Sequence, residues 1–177
     1  MTVGVPPNSR HRFSPETIGA FTSENEMSWP DIRSLIPHSG AMVLLDRVIA
    51  VDEESLCAEV RIRSDSLFCS ASGVGAWVGL EYMAQSIAAF AGFTAYLRGE
   101  AVKPGFLLGA RRYECTLPMF SLGSLLRVHV RRVLQSENGL GSFQCRIEHG
   151  EEEVATATLT VFQPADAADF VKGSSNE

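Results

Sequence analysis

Two side chains four residues apart, Glu81 and Gln85, interrupt the longest apolar run of the chain, Ala76 to Leu97. On a helix that spacing puts both on one face, one turn apart. Leu80, Tyr82, Met83 and Ala84 surround the carboxyl with apolar bulk. Desolvation favours the protonated form of a carboxyl, the form that can donate to a leaving hydroxyl. Glu81 is therefore the leading candidate for a general acid. The plainer alternative is a carboxylate satisfied by Gln85 or by the positive end of the helix dipole.

The segment opens with Gly73-Val74-Gly75-Ala76-Trp77. Backbone N–H groups at such a helix start face outward, and the dipole behind them suits a carbonyl oxygen. A thioester held there would have its neighbouring C–H acidified, because the donors stabilise enolate character. From the glycines alone the simpler reading as turn formers would win; the motif that follows them is what makes Gly75, Ala76, Trp77 and Gln85 the expected substrate contacts. Four histidines are present. His38, in the Pro37-His38-Ser39-Gly40 loop, is the candidate base, its other role being a hydrogen bond to a loop carbonyl. His129 alternates with Val128 and Val130, which predicts a solvated strand face, while His11 and His149 fall in an extension and a turn. Cys69-Ser70 and Ser72 sit in the loop before the segment, but no Gly-x-Ser-x-Gly elbow accompanies them, so a covalent mechanism is disfavoured.

These residues need elements to hold them. Ser28, as N-cap, and Pro30 predict a short helix through Ile32 to Leu35, ending near Pro37. Met42 to Val51 and Leu56 to Ile62 read as a β-hairpin across the Asp52-Glu53-Glu54-Ser55 turn, and Asp65 to Gly75 as a loop. Ala76 to about Arg98 lacks proline and is rich in Ala, Leu and Met, so a helix is expected, stopped at Gly99. Four β-like stretches follow, Phe106 to Cys115, Leu125 to Gln135, Leu140 to Glu148 and Val154 to Phe162. One long apolar helix among antiparallel strands buries its circumference only if the sheet wraps around it, which is an α+β hotdog architecture. The domain is expected over 28–163, with a flexible extension over 1–27 and a tail over 164–177.

Composition excludes several classes. With 177 residues, 45% of them hydrophobic and 20% charged, the chain suits one globular domain. A formal net charge of -6, with no basic block, argues against nucleic acid. The polar residues inside the apolar segment argue against membrane insertion, and the N-terminus lacks the apolar stretch of a signal peptide. The four cysteines form no disulfide or zinc pattern, which points to a reducing cytoplasm; no metal and no cofactor is expected.

The stretches LIPHSGAMVLLDRV and GLEYMAQ, with GAWVG before the latter, resemble the 3-hydroxyacyl-acyl carrier protein dehydratases. With PGFLLGARRYE, they are most similar to the dehydratase-like subunits of aryl polyene pathways. The resemblance covers about Trp29 to Gln163. It implies a hotdog protomer that pairs, as homodimer, heterodimer or higher oligomer, with each site built from a histidine of one chain and an acid of the other. It places Glu81 at the family's helix acid and the helix start at the thioester carbonyl. The implied activity is a hydro-lyase removing water from 3-hydroxyacyl chains on acyl carrier protein, in fatty acid or polyene biosynthesis. Family members carry the basic histidine in a Gly-His-Phe loop before the helix, whereas Asp65 to Glu81 contains no histidine. His38 matches a second family histidine. The departure keeps two further readings open: a hotdog acyl thioesterase, and a partner subunit without catalysis of its own. Arg111 and Arg112, near Arg98 and Lys103 in sequence, offer a docking spot for the acidic carrier protein, or are ordinary surface arginines.

Overall fold

Residues 29–164 are described by the computed structural model. The extension expected over 1–27, the Ser28 cap and all of the expected tail except Pro164 lie outside them. Asp31 caps the short first helix α1 (Ile32–Leu35), its side chain accepting from the Arg33 N–H at 2.8 Å. The main sheet has six strands in the order β1 (Arg47–Val51), β2 (Ser55–Arg61), β7 (Leu125–Gln135), β8 (Leu140–His149), β9 (Glu152–Phe162) and β5 (Phe106–Cys115). All of its pairings are antiparallel.

Alternation along these strands sends one face inward. Leu56, Ala58 and Val60 of β2, Leu126, Val128 and Val130 of β7, and Phe143, Cys145 and Ile147 of β8 are all buried. They meet the long helix α2 (Gly79–Leu97), which buries Tyr82, Met83, Ile87, Ala89 and Phe90 against them. Each large side chain withdrawn in this way contributes about 1.5–3 kcal/mol. The helix also passes very close to α1. At Gly92 an added Cβ would run into the backbone carbonyl of Leu35, so only a bare residue permits this crossing.

The sheet therefore wraps a single long helix, as the hotdog expectation requires. Three local expectations are corrected. The strand expected from Met42 begins only at Arg47, because Gly40–Met42 forms a 3-10 turn and Leu44 spends its N–H on Gln85 rather than on a strand. The loop expected over 65–75 contains β3 (Cys69–Ser70) and β4 (Gly73–Gly75), which join β6 (Met119–Ser121) in a second, three-stranded sheet. Strands of two or three residues are too short to carry a period. The helix start, Ala76–Val78, is a 3-10 turn rather than α-helix.

Candidate active site

Pro37 ends α1 and leads into the loop that carries His38, while α2 carries Glu81 and, one turn on, Gln85. Gln85 is fully buried and fully used. Its Nε2 donates to Met42 O at 2.8 Å and to Glu81 Oε1 at 2.9 Å, and its Oε1 accepts from Leu44 N at 3.0 Å. The backbone donor at Leu44 and the acceptor at Met42 leave only one orientation for this amide. Gln85 consequently clasps the loop after His38 to the helix that bears Glu81.

His38 Nε2 lies 3.6 Å from Glu81 Oε1, with 30% and 36% of the two side chains exposed. The withdrawal of Glu81 from water expected from its apolar neighbours is thus only partial, because the face of α2 that carries it borders a cavity. His38 Nδ1 is buried with no hydrogen-bond partner among the described residues. Both residues line that cavity, of about 310 Å³, which runs along α2 past Ala84, Ala88 and Ala91 to Phe143, Phe106 and Phe162. The small alanines leave its volume free, and the aromatic rings form its apolar walls. A titratable acid and an imidazole at one end of an apolar channel suit proton transfer at the head of an acyl chain.

The helix start lies apart from this cavity. Ala76 donates its N–H to Pro118 O at 3.1 Å, so that group is occupied. The Trp77 side chain is 65% exposed and packs edge-on against Phe68, with centroids 5.4 Å apart. Gly75, Ala76 and Trp77 are not among the residues bordering the cavity. Gln85 does not contact it either; its amide works through its neighbours.

The comparisons with known proteins come to bear on this geometry. The family described as ApeP-like, ApeP dehydratase, matches residues 30–172. The chain belongs to the ApeP-like dehydratases. A chain of the dehydratase heterocomplex ApeI:P from Xenorhabdus doucetiae is 29% identical, with a TM-score of 0.78 over 84% of this chain and 99% of that one. AziG from S. sahachiroi (12% identity, TM-score 0.52, 67% of this chain and 90% of that one) shares the fold. So does Cj0977 from Campylobacter jejuni (12% identity, TM-score 0.51, 76% and 97%). No curated protein matches.

A second histidine cluster of this ApeP-like chain lies on the outer face of the sheet. His129 Nε2 is 2.8 Å from Glu148 Oε2 and 3.6 Å from Cys57 Sγ, and Arg146 reaches Glu148 Oε1 at 3.0 Å. His129 is not simply solvated, as its alternation with valines predicted, because long charged side chains of adjacent strands cover it to 19% exposure. Burial, and next the Arg146 charge, hold its pKa below the ordinary histidine value against the opposing pull of Glu148. Burial pushes the Cys57 thiol up to about 12, which makes it a poor nucleophile. Among the described residues no helix is long and apolar enough to cross a membrane.

Proposed function

We propose that this ApeP-like dehydratase chain supplies the acid half of a two-chain site that removes water from 3-hydroxyacyl thioesters carried on acyl carrier protein. The observation that carries the reading is the shared cavity: Glu81 and His38 stand 3.6 Å apart at the head of an apolar channel sized for an acyl chain. Glu81 protonates the C3 hydroxyl as it leaves, and a base takes the C2 proton. Gln85 aims an N–H at Glu81 Oε1, which makes that oxygen an acceptor and leaves Oε2 to carry the transferred proton.

The base comes from a second hotdog subunit. Support comes from the absence of histidine between Asp65 and Glu81 and from the heterocomplex in which the 29% identical chain was solved. The sheet edge offers a place for that subunit. β5 pairs only with β9 among the described residues, and Leu107 and Leu108 are 42% and 57% exposed. Phe106 and Leu107 of the same strand also border the cavity, so a chain added at this edge would reach the site. Arg111 and Arg112, both exposed on β5, suit docking of the acidic carrier protein. The free cysteines suit work in a reducing cytoplasm, and the pathway similarity suits an acyl chain of fatty acid or polyene type.

A second reading has its own observation: His38 borders the same cavity as Glu81 and would be the base if the chain works alone. Assaying the purified chain on 3-hydroxyacyl-acyl carrier protein, alone and mixed with a hotdog protein bearing the loop histidine, separates the two. Dehydration only in the mixture is the expected result. Full activity alone that His38→Ala abolishes would install His38 as the base. Full activity alone that survives His38→Ala would refute both. Release of free acid from a plain acyl thioester would instead mark a thioesterase.

A further inference from the structure

Ala89 of α2 is packed into the core, whereas Ala84, Ala88 and Ala91 are half-buried and border the cavity. Steps of three and four residues from Glu81 put these three on the helix face that carries the acid. The cavity therefore runs along the helix away from Glu81, and a larger side chain at any of the three positions would grow into it rather than into the core. Ala91 stands ten residues after Glu81, about 15 Å further along the axis.

The opposite wall reaches the same level. Tyr113 turns inward at a bulge between Arg111 and Glu114 and donates its hydroxyl to the Ala76 carbonyl, so β5 runs back along α2 from the helix start. Seven residues back from Tyr113, about 23 Å of strand, Phe106 comes level with Ala91, and both border the cavity. Phe162, the cross-strand partner of Phe106, borders it too. Phe143 is backed by Phe90, edge-on with centroids 6.0 Å apart, so this wall has a packed ring behind it.

Three chain segments meet at the far end. Gln163 donates its backbone N–H to Gly139 O at 2.9 Å and its side-chain Nε2 to Lys103 O at 3.1 Å. The end of β9 is thereby tied to the β7–β8 turn and to the loop between α2 and β5. At Gly139 an added Cβ would run into the Gln163 carbonyl, so the turn lies directly on that strand end. The volume of about 310 Å³ is at the lower end of the range for ligand sites, about 300–1,000 Å³, and suits one slim, unbranched chain.

An extended chain advances about 1.2 Å per backbone bond, so about twelve bonds separate the level of Glu81 from that of Ala91. We infer that Ala88 and Ala91 set the length of the acyl chain that is dehydrated, an unbranched chain reaching about twelve carbons past C3 with its end lodged between Ala91 and Phe106. This rests on the dehydratase reading above and adds the class of substrate to it, a long-chain 3-hydroxyacyl thioester.

The test is Ala91→Leu and Ala88→Leu in the assembled dehydratase, assayed on 3-hydroxyacyl-acyl carrier protein of about 6 to about 16 carbons. In the unmutated enzyme kcat/KM should climb with chain length up to the reach of the channel. Ala91→Leu should lower the long-to-short ratio of kcat/KM about tenfold or more, the usual discrimination of an apolar pocket against surplus methylenes. Ala88→Leu should impose its cut-off about four carbons earlier, because it stands three residues nearer Glu81. A loss equal at every length, or one cut-off shared by both variants, would overturn the inference, since a structural defect or a route of entry at this end acts on all substrates alike. So would an unmutated enzyme indifferent to length. If the unmutated assembly dehydrates no substrate, the dehydratase reading is what fails. Calorimetric binding of plain acyl-pantetheines of the same lengths to the native chain and the two variants then still decides whether these alanines gauge the chain.

Discussion

Among the described residues two histidine–glutamate pairs stand out, and they differ in everything except composition. On the outer face His129 and Glu148 meet at 2.8 Å, with Arg146 on the other carboxylate oxygen at 3.0 Å. Inside, His38 and Glu81 stay 3.6 Å apart, with Gln85 rather than a cation on the carboxylate. The outer pair is closed: its charges are matched, and the neighbouring thiol is kept protonated by burial. The inner pair is open at a cavity, and His38 Nδ1 has no hydrogen-bond partner among the described residues. A histidine beside a carboxylate is thus weak evidence of chemistry. Looseness at the mouth of an apolar channel is stronger evidence, because a group already saturated has no bond left for a substrate.

Substituting the two carboxylates side by side tests this contrast most strongly. In the assembled enzyme Glu81→Gln should lower turnover by about two to four orders of magnitude while the fold persists, the usual worth of a general acid. Glu148→Gln should leave turnover within about twofold and show itself in thermal melts instead. Comparable losses from both would erase the distinction.

Gln85→Leu probes what keeps the inner pair open. It leaves the Leu44 N–H and the Met42 carbonyl without their partner; both are only partly buried, so the loss should be about 1–3 kcal/mol for the two together, measurable by urea unfolding. Turnover of the folded enzyme should fall about 10- to 100-fold as Glu81 loses its fixed orientation. In a Glu81→Gln background the same change should cost little further turnover, since Gln85 acts through that acid.

His38→Ala should lower turnover of the complex about tenfold, the effect of a neighbour to the acid rather than of the base. Steady-state kinetics of the mixed subunits would show this. A loss as large as that of Glu81→Gln would move the base into this chain.

The smallest effect belongs to the outer pair. His129 has a folded pKa below its ordinary value near 6.5, so the unfolded chain binds more protons between the two values. Stability should therefore rise with pH through that window, be fully present above it, and be lost as pH falls through the folded value. Thermal melts from about pH 8 to about pH 5 should show the decline, and His129→Gln should flatten it. An unchanged slope in that variant would assign the dependence to other groups.

Much of the fold was legible because long elements repeat their pattern. β5 and β7 match their expected limits, and α2 follows the apolar run from Gly79 to Leu97. The two- and three-residue strands β3, β4 and β6 escaped notice, since a period cannot show itself in so few residues. The sequence by itself determined the wrapped helix and Glu81 and Gln85 on one helical turn, because each is a matter of spacing and residue type; the absence of histidine from Asp65 to Glu81 gained its meaning only from the family resemblance. Only the tertiary structure decided that His38 meets Glu81 across 43 residues of chain. It also decided that Gln85 is a buried clasp between the loop after His38 and the long helix, and that Tyr113 turns in at a bulge. Those three depend on which carbonyl, amide or carboxylate another segment brings within hydrogen-bond reach, and packing between segments, rather than local propensity, sets that distance.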